Sequence, residues 1–171
     1  MITIRDYCEG DAASVGILIA DTYGEFNLSF VPPKEREPFM GPFLHARSPE
    51  RSHQEEIAQV LGAPMVFVAQ DDGEIVGVLR GGRKDERQRV VLQSLFVKKS
   101  HHRRGIGQKL VEWFEQVCHQ QGEMVINLAS SLYAVPFYRA LGYKKTTGVR
   151  SMKSFDGEGF EYQPMKKVLA R

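Results

Sequence analysis

The sequence predicts a mixed α/β (α+β) fold in which a mostly antiparallel central sheet is flanked by about four helices. Three strand-like segments follow one another between residues 65 and 97, and strands then alternate with helices up to residue 141. A run of strands followed by such alternation is typical of a mixed sheet with helices on its faces. The chain has 171 residues, 42% hydrophobic and 26% charged, and we expect a single domain spanning residues 1–171.

The first third of the chain predicts a strand, a helix and an irregular segment. Ile2 and Ile4 alternate with polar residues, which indicates a strand. Asp11 is a candidate N-cap for a helix with correctly spaced apolar residues, namely Val15, Leu18, Ile19 and Tyr23. Residues 24–47 hold four prolines and four phenylalanines. This segment is either a flexible lid or a surface loop that its phenylalanines attach to the core.

The middle of the chain predicts a helix followed by three antiparallel strands. Ser48 is a suitable cap and Pro49 a suitable first residue for the helix, which ends at Gly62. Strands 65–69 and 75–83 flank an Asp-Asp-Gly turn, which is typical of a hairpin. Residues 90–97 form the third strand of this run.

The second half of the chain predicts two helices and three strands. A helix begins at Ile106, ends at Gly122 and carries an apolar face made of Ile106, Leu110, Phe114 and Val117. A strand at 124–128 and a short helix at 134–141 follow. The last two strands are predicted at 143–149 and 160–169, joined by a turn at 156–157.

Composition and charge argue against several classes of protein. A formal net charge of +2, from 23 basic and 21 acidic side chains, creates no general field for nucleic acid or a membrane surface. No apolar run reaches the ~18 residues of a membrane span, and the N-terminus does not resemble a signal peptide. We therefore expect a cytoplasmic protein. Cys8 and Cys118 lack zinc-ligand spacing, so we expect no metal and two buried free thiols.

The basic turn at 98–107 is the most informative local feature, because it joins a predicted strand to a predicted helix. Unpaired N–H groups and the dipole at a helix start bind anions. Gly105 and Gly107 remove the Cβ atoms that would keep a phosphate away. The turn also carries four cationic side chains, Lys98, Lys99, Arg103 and Arg104. It predicts a site for a phosphate or pyrophosphate, and the alternative is a tight turn with a solvated basic face.

Competing phosphate motifs do not fit this turn. A dinucleotide fingerprint needs a third glycine where Leu110 stands, and a P-loop needs Lys-Ser/Thr where Gln108 and Lys109 stand. Contact with a nucleic-acid backbone calls for a wider basic surface. We therefore expect no nucleic-acid partner.

Two segments in register resemble a known family. His102-Arg103-Arg104-Gly105-Ile106-Gly107 follows the strand that ends Leu95-Phe96-Val97, and Ala134-Val135-Pro136-Phe137-Tyr138 leads to Gly142-Tyr143. The first is similar to the Arg/Gln-x-x-Gly-x-Gly/Ala acetyl-CoA motif of the GNAT superfamily of N-acetyltransferases. The second is similar to its Ala-x-x-Phe-Tyr-x-x-x-Gly-Phe segment. The order of elements agrees along essentially the whole chain, which implies a GNAT-like mixed, mostly antiparallel sheet.

The resemblance implies acetyl-CoA as co-substrate, no metal, and a set of cofactor contacts. The central strand of this family splays from its neighbour, and the pantetheine arm lies in the gap. Ser131 stands where many members have an asparagine that contacts this arm, and His102 replaces the usual first Arg or Gln. The implied cofactor-binding residues are Leu95, Phe96, Val97, His102, Arg103, Arg104, Gly105, Ile106, Gly107, Gln108 and Ser131.

The implied reaction moves an acetyl group to a primary amine by direct attack in a ternary complex. Tyr138 matches the family tyrosine near the sulfur, and a phenol can protonate a thiolate; the alternative is a core aromatic residue. The Val97 N–H could hold the thioester carbonyl. A different functional class, a non-catalytic acyl-CoA-binding module of the same fold, also fits the sequence.

The acceptor side is less defined. Gln93 and Ser94 stand where many members have a carboxylate base, and Tyr23, Glu25 and His101 are weak candidates for that role. We expect Tyr23 and Glu25 to contact the acceptor, a small-molecule or peptide amine, together with segment 24–47 and hairpin tip 156–160. The resemblance also leaves a homodimer open.

Overall fold

The sheet of the computed structural model, which describes residues 1–170, contains eight strands in the order β1-β2-β3-β4-β5-β8-β6, with β7 also paired to β8. Only the β4–β5 pair is parallel among these pairings. The predicted mixed, mostly antiparallel sheet is confirmed. The strands are β1 (Ile2–Asp6), β2 (Met65–Asp71), β3 (Glu74–Lys84), β4 (Val90–Val97), β5 (Val125–Ser131), β6 (Lys144–Lys145), β7 (Arg150–Ser154) and β8 (Gly157–Val168).

Five α-helices accompany the sheet, and the short α2 lies in the proline-rich segment. They are α1 (Ala12–Thr22), α2 (Glu37–Met40), α3 (Arg51–Leu61), α4 (Ile106–Gln120) and α5 (Val135–Ala140). Within the described residues, no helix has the length and apolar character of a membrane span.

Alternation along the strands gives the sheet two buried faces. Phe67 and Leu79 point to the side covered by α4, whereas Val68 and Val78 point to the side covered by α1 and α3. The backbone of β3 approaches α4 closely because Gly81 has no side chain. A Cβ there would lie 2.7 Å from the Phe114 ring, which is too close for any real side chain.

The proline-rich segment 24–47 is attached to the core. Its apolar side chains join those of α1 and α3 in one buried cluster, which includes Leu28, Val31, Phe39, Met40 and Phe43. Of the two alternatives, the loop attached by its phenylalanines describes this segment, although Phe30 remains exposed.

Two predicted element boundaries are wrong. Helix α3 begins at Arg51, and the Ser48 hydroxyl accepts a hydrogen bond from the Glu50 N–H before the helix starts. The predicted strand at 143–149 is reduced to β6, and the longer β7 lies after it. Pro164 on β8 has no N–H to donate, and the Gln163 side chain bonds the Thr147 carbonyl instead, so the ladder is interrupted at this point.

The N-terminal turn and the cysteines also depart from expectation. Asp11 precedes α1 as predicted, but its carboxylate accepts hydrogen bonds from Arg5 at 2.8 and 2.9 Å instead of capping α1. Both cysteines are free, and Cys118 is buried as expected. Cys8 is exposed, because it lies in the short turn before α1, so its predicted burial is wrong.

Candidate active site

A gap opens between β4 and β5 where their pairing stops. The parallel pairing covers only three residues of each strand, ending at Leu92 and Leu128. Beyond that point β4 stays paired with β3, and β5 stays paired with β8. The β3–β4 register shifts around Gly81, and such bulges bend a strand away from its neighbour. The splay expected from the family resemblance is therefore present in this chain.

The backbone of β4 presents unpaired polar groups to this gap. The Lys98 N–H donates to the Val76 carbonyl of β3 at 2.8 Å. Because backbone groups alternate sides along a strand, Phe96 also directs its N–H to β3, whereas Leu95 and Val97 direct theirs to the gap. Two of the three expected backbone contacts therefore have the required direction, and Phe96 contributes its side chain.

The turn before α4 holds a continuous set of free backbone donors. The His102 N–H donates to the Lys99 carbonyl at 3.2 Å, and the next N–H with a backbone acceptor is that of Lys109, 3.0 Å from the Gly105 carbonyl. In the described chain, the six N–H groups of residues 103–108 have no backbone acceptor. Gly105 has φ +75° and Arg103 has φ +63°, and these left-handed residues turn the chain into the helix. Six such donors at a helix start match the acceptors of a diphosphate.

Most of the cations in this turn are already paired. Lys98 bonds Glu74, Lys99 bonds Glu25 at 2.6 Å, and Arg104 lies 3.6 Å from Asp71. Arg103 has no carboxylate within 4.0 Å in the part of the chain that the structure describes. An anion at this turn therefore depends on the backbone donors and Arg103 more than on the basic cluster seen in the sequence.

His102 connects the turn to the end of β4. Its Nε2 atom lies 2.8 Å from the Val97 carbonyl oxygen. Because a carbonyl only accepts, Nε2 carries the proton. The imidazole also packs on Phe26, with ring centroids 4.8 Å apart. His102 thus holds the last residue of β4 against the turn, in place of the family's Arg or Gln.

Two adjoining cavities meet at this end of the sheet. The turn groove, about 530 Å³, follows the start of α4 and is lined by residues 101–103 and 105–108. The inner cavity, about 200 Å³, enters the gap between β4 and β5. The shared wall consists of Leu95, Val97, His102, Tyr133, Ala134 and Tyr138.

Tyr138 lies on this shared wall. Its side chain packs edge-on against Phe137 and Tyr143, with centroids 5.0 and 5.7 Å away. Only 6% of the residue is exposed, and burial alone raises the pKa of its phenol above the usual value of 10.0. The hydroxyl is therefore protonated at neutral pH, so Tyr138 carries a proton that it can donate.

The structure separates the other predicted site residues. Ser131 lines the inner cavity, and so does Tyr23, whose phenol has a pKa raised by burial. Glu25 instead pairs with Lys99 beside a different groove. His101 lies beside the turn, 3.0 Å from Asp71, outside the inner cavity. Glu25 is therefore not brought together with Tyr138, whereas His101 shares the turn groove with Tyr138 but not the inner cavity.

Several lining residues were missed from the sequence. The inner cavity is also bordered by Phe26, Tyr133, Met152 and Phe160. The sequence placed Phe26 in segment 24–47 and Phe160 in hairpin tip 156–160, both expected to contact the acceptor, but it did not distinguish either residue from its neighbours. It gave no signal for Tyr133 or Met152. Met152 and Phe160 face the cavity through the β7–β8 hairpin, whose position depends on the register of distant strands.

The donor set fits coenzyme A in both chemistry and arrangement. Six free N–H groups match a diphosphate, and an open strand edge matches the two amides of a pantetheine arm. At Gly107, a Cβ would lie 3.2 Å from the Phe137 ring, so a glycine keeps this groove open. No cluster of three or more metal-ligating side chains occurs within residues 1–170.

Comparison with known proteins identifies the family. The sequence matches the acetyltransferase (GNAT) domain over residues 21–169, and the protein therefore belongs to the GNAT family of acetyltransferases. A GCN5-related N-acetyltransferase from Rhodopseudomonas palustris is similar in structure, with a TM-score of 0.77, 20% identity and coverage of 98% of this chain and 95% of that one.

Two further solved structures share the fold. The PaiA N-acetyltransferase from Thermoplasma acidophilum in complex with coenzyme A has a TM-score of 0.72, 16% identity and coverage of 99% of each chain. The ribosomal-protein-S18-alanine N-acetyltransferase from Escherichia coli has a TM-score of 0.68, 16% identity and coverage of 100% of this chain and 96% of that one.

Proposed function

We propose that the protein transfers an acetyl group from acetyl-CoA to a primary amine by direct attack in a ternary complex. The observation that carries this proposal is the position of Tyr138 on the wall between the turn groove and the inner cavity. The turn groove suits the diphosphate of the cofactor, and the inner cavity receives both the end of its pantetheine arm and the acceptor, so both substrates can reach the same phenol.

The turn holds the cofactor by its backbone. The N–H groups of residues 103–108 bind the diphosphate, aided by the charge of Arg103. The free N–H and C=O groups of Leu95 bind an amide of the pantetheine arm, and Ser131 faces them from β5. The Val97 carbonyl is already bonded by His102, which leaves the Val97 N–H for the thioester. When bound, acetyl-CoA supplies an activated thioester.

Val97 and Tyr138 assist the transfer from opposite ends of the bond that breaks. The Val97 N–H stabilises the negative charge that develops on the carbonyl oxygen. The amine nitrogen bonds to the carbonyl carbon and loses one proton to solvent, while the carbon–sulfur bond breaks with its electron pair on sulfur. Tyr138 donates a proton to that sulfur and regains one from water.

No carboxylate lines the inner cavity among the described residues, so the reaction proceeds without a dedicated carboxylate base. An ammonium group loses its proton more readily on leaving water for an apolar site. The cavity therefore selects the neutral amine, which is the form that attacks.

The test is thiol release from acetyl-CoA in the presence of a panel of primary amines. The proposal predicts release that depends on the amine, with the acetylated amine identified by mass spectrometry. If acetyl-CoA binds in calorimetry but no amine of the panel raises thiol release above background, the protein is a binding module and the proposed reaction is wrong.

A further inference from the structure

We infer that the acceptor is a primary amine carried on a small aromatic or apolar body with no second positive charge. This inference rests on the proposed acetyl transfer and comes from the lining of the inner cavity. It separates this chain from acetyltransferases that would accept polyamines or aminoglycosides.

Aromatic rings that pack against one another form part of the wall of the inner cavity. Tyr23 lies 6.1 Å, between ring centroids, from both Phe96 and Phe160. Phe26 and Tyr133 lie 5.4 Å apart where the cavity meets the turn groove. Such walls favour a ring or alkyl body, because aromatic pairs gain from stacked and edge-on contacts beyond the area they bury.

The polar end of Tyr23 is already bound. Ser154 donates its hydroxyl proton to the Phe39 carbonyl at 3.1 Å, so the hydrogen bond between Tyr23 and Ser154 has the phenol as donor. Burial also keeps this phenol protonated by raising its pKa. Tyr23 is therefore a wall of the cavity and does not offer an anion to a cationic acceptor.

The lining has no negative charge. No Asp, Glu, Lys or Arg belongs to it in the part of the chain that the structure describes, and its polar side chains include Thr22, Asn27, Gln93 and Ser94. Three acids adjoin lining residues in sequence. Asp21 bonds Arg47 and Glu25 bonds Lys99, and Glu161 is exposed and outside the lining. A second ammonium group would lose its hydration here without a counter-ion, which is costly.

Arg80 lies outside the lining and bonds one of the lining residues. Arg80 donates from Nη1 to the Ser94 hydroxyl at 3.3 Å. Its Nε atom donates to the Leu61 carbonyl, and its Nη2 atom donates to the carbonyls of Val60 and Gly62 at the end of α3. These bonds fix the guanidinium in place. This charge disfavours a cationic acceptor by like-charge repulsion.

The size of the inner cavity limits the acceptor to a small body. Its volume is about 200 Å³, and the end of the pantetheine arm takes part of that space. Since an apolar cavity of about 150 Å³ admits no more than a benzene-sized ring, a multi-ring aminoglycoside exceeds the space that remains.

The experiment compares thiol release from acetyl-CoA with four acceptors: 2-phenylethylamine, spermidine, kanamycin and a hexapeptide that begins with alanine. We expect kcat/KM for 2-phenylethylamine to exceed each of the others by about tenfold or more. A preference for spermidine, kanamycin or the peptide would overturn the inference while leaving acetyl transfer intact. Failure of all four acceptors, with acetyl-CoA still bound, would overturn the proposed function and the inference together.

A matched pair of variants tests whether the lining sets this preference. Met152 borders the cavity on β7 and is 45% exposed, so Met152→Glu adds a carboxylate at a tolerant position. We expect it to shift the kcat/KM ratio towards spermidine by about tenfold. Met124→Glu is the control, because Met124 is 38% exposed and outside both cavities. If Met152→Glu leaves the ratio at the control value while both variants stay folded by thermal unfolding, the inference is wrong.

Discussion

The imidazole Nε2 of His102 donates a hydrogen bond to the carbonyl oxygen of Val97 across 2.8 Å. This bond joins the turn that offers six free N–H groups to the strand end that offers the Val97 N–H. One side chain thereby couples the diphosphate site to the site of the thioester carbonyl. His102 replaces the Arg or Gln that is usual in the family, and its side chain still directs a hydrogen-bond donor at β4.

Removal of this donor should weaken cofactor binding. His102→Ala leaves the Val97 carbonyl without its partner, and we expect the Kd for acetyl-CoA to rise by about fivefold to tenfold, the value of one hydrogen bond of about 1 kcal/mol. His102→Gln keeps a side-chain N–H donor and should restore most of the affinity. Calorimetric titration of the three proteins checks this, and equal affinities would show that the bond does not position β4.

Tyr138→Phe should lower kcat with little change in the Kd for acetyl-CoA. Loss of a general acid costs about 10²-fold to 10⁴-fold, while the ring still fills its place against Phe137 and Tyr143. Tyr143→Phe is the control, since Tyr143 is equally buried and bonds Glu115 at 2.8 Å away from the inner cavity. Steady-state kinetics of both variants decides, and a wild-type kcat for Tyr138→Phe would remove the phenol from the mechanism.

The proposed acid role of Tyr138 also predicts how kcat depends on pH in alkaline solution. Burial raises the pKa of this phenol, so the reactive protonated form persists above the usual tyrosine value of about 10. We expect kcat with saturating substrates to show no fall between pH 8 and about 10 that depends on this residue. If kcat of the wild type falls below pH 10 and this fall is absent in Tyr138→Phe, the pKa of Tyr138 is not raised.

Gly107→Ala should reduce affinity for acetyl-CoA. The added Cβ would stand 3.2 Å from the Phe137 ring, which lines the turn groove, and the resulting shift would disturb the proposed diphosphate site. We therefore expect the Kd to rise by about tenfold. Gly148→Ala is the matched control, because a Cβ at Gly148 meets nothing within 4 Å. Unchanged affinity in a folded Gly107→Ala protein would place the diphosphate away from this turn.

The Arg5–Asp11 pair predicts a specific acid dependence of stability. The hydrogen bond from Arg5 lowers the Asp11 pKa from 3.8 to about 2, so this carboxylate stabilises the fold above pH 3.8 and loses that effect as the pH falls through about 2. The shift corresponds to about 2 kcal/mol. Urea unfolding should show Asp11→Asn less stable than the wild type at pH 7, with the difference shrinking towards pH 2. A difference that is independent of pH would contradict the ionic origin.

Local sequence patterns predicted those parts of the site that are formed by a single run of consecutive residues. The turn at 98–107 contains its own glycines and its own helix start, so its free N–H groups follow from about ten consecutive residues. The hairpin at Asp71 and the short helix that carries Tyr138 are local in the same sense. The open edge of β4 followed only from the family resemblance.

Long-range contacts determined what the sequence did not reveal. Three of the four cations of the turn are paired with Glu25, Asp71 and Glu74, which lie 24 or more residues away. Met152 and Phe160 border the inner cavity because β7 pairs with β8. The pattern at 143–149 predicted a strand, yet Pro164 and Gln163 interrupt the ladder opposite it. Pairing partners of this kind have no local signature.

The most direct test of the account is a crystal structure of the protein with bound acetyl-CoA. We expect diphosphate oxygens within about 3.2 Å of backbone nitrogens of residues 103–108, the pantetheine arm between β4 and β5, and the sulfur beside the Tyr138 hydroxyl. A diphosphate bound away from this turn, or a sulfur remote from Tyr138, would contradict the central claim that the turn, the gap and this phenol form one catalytic centre.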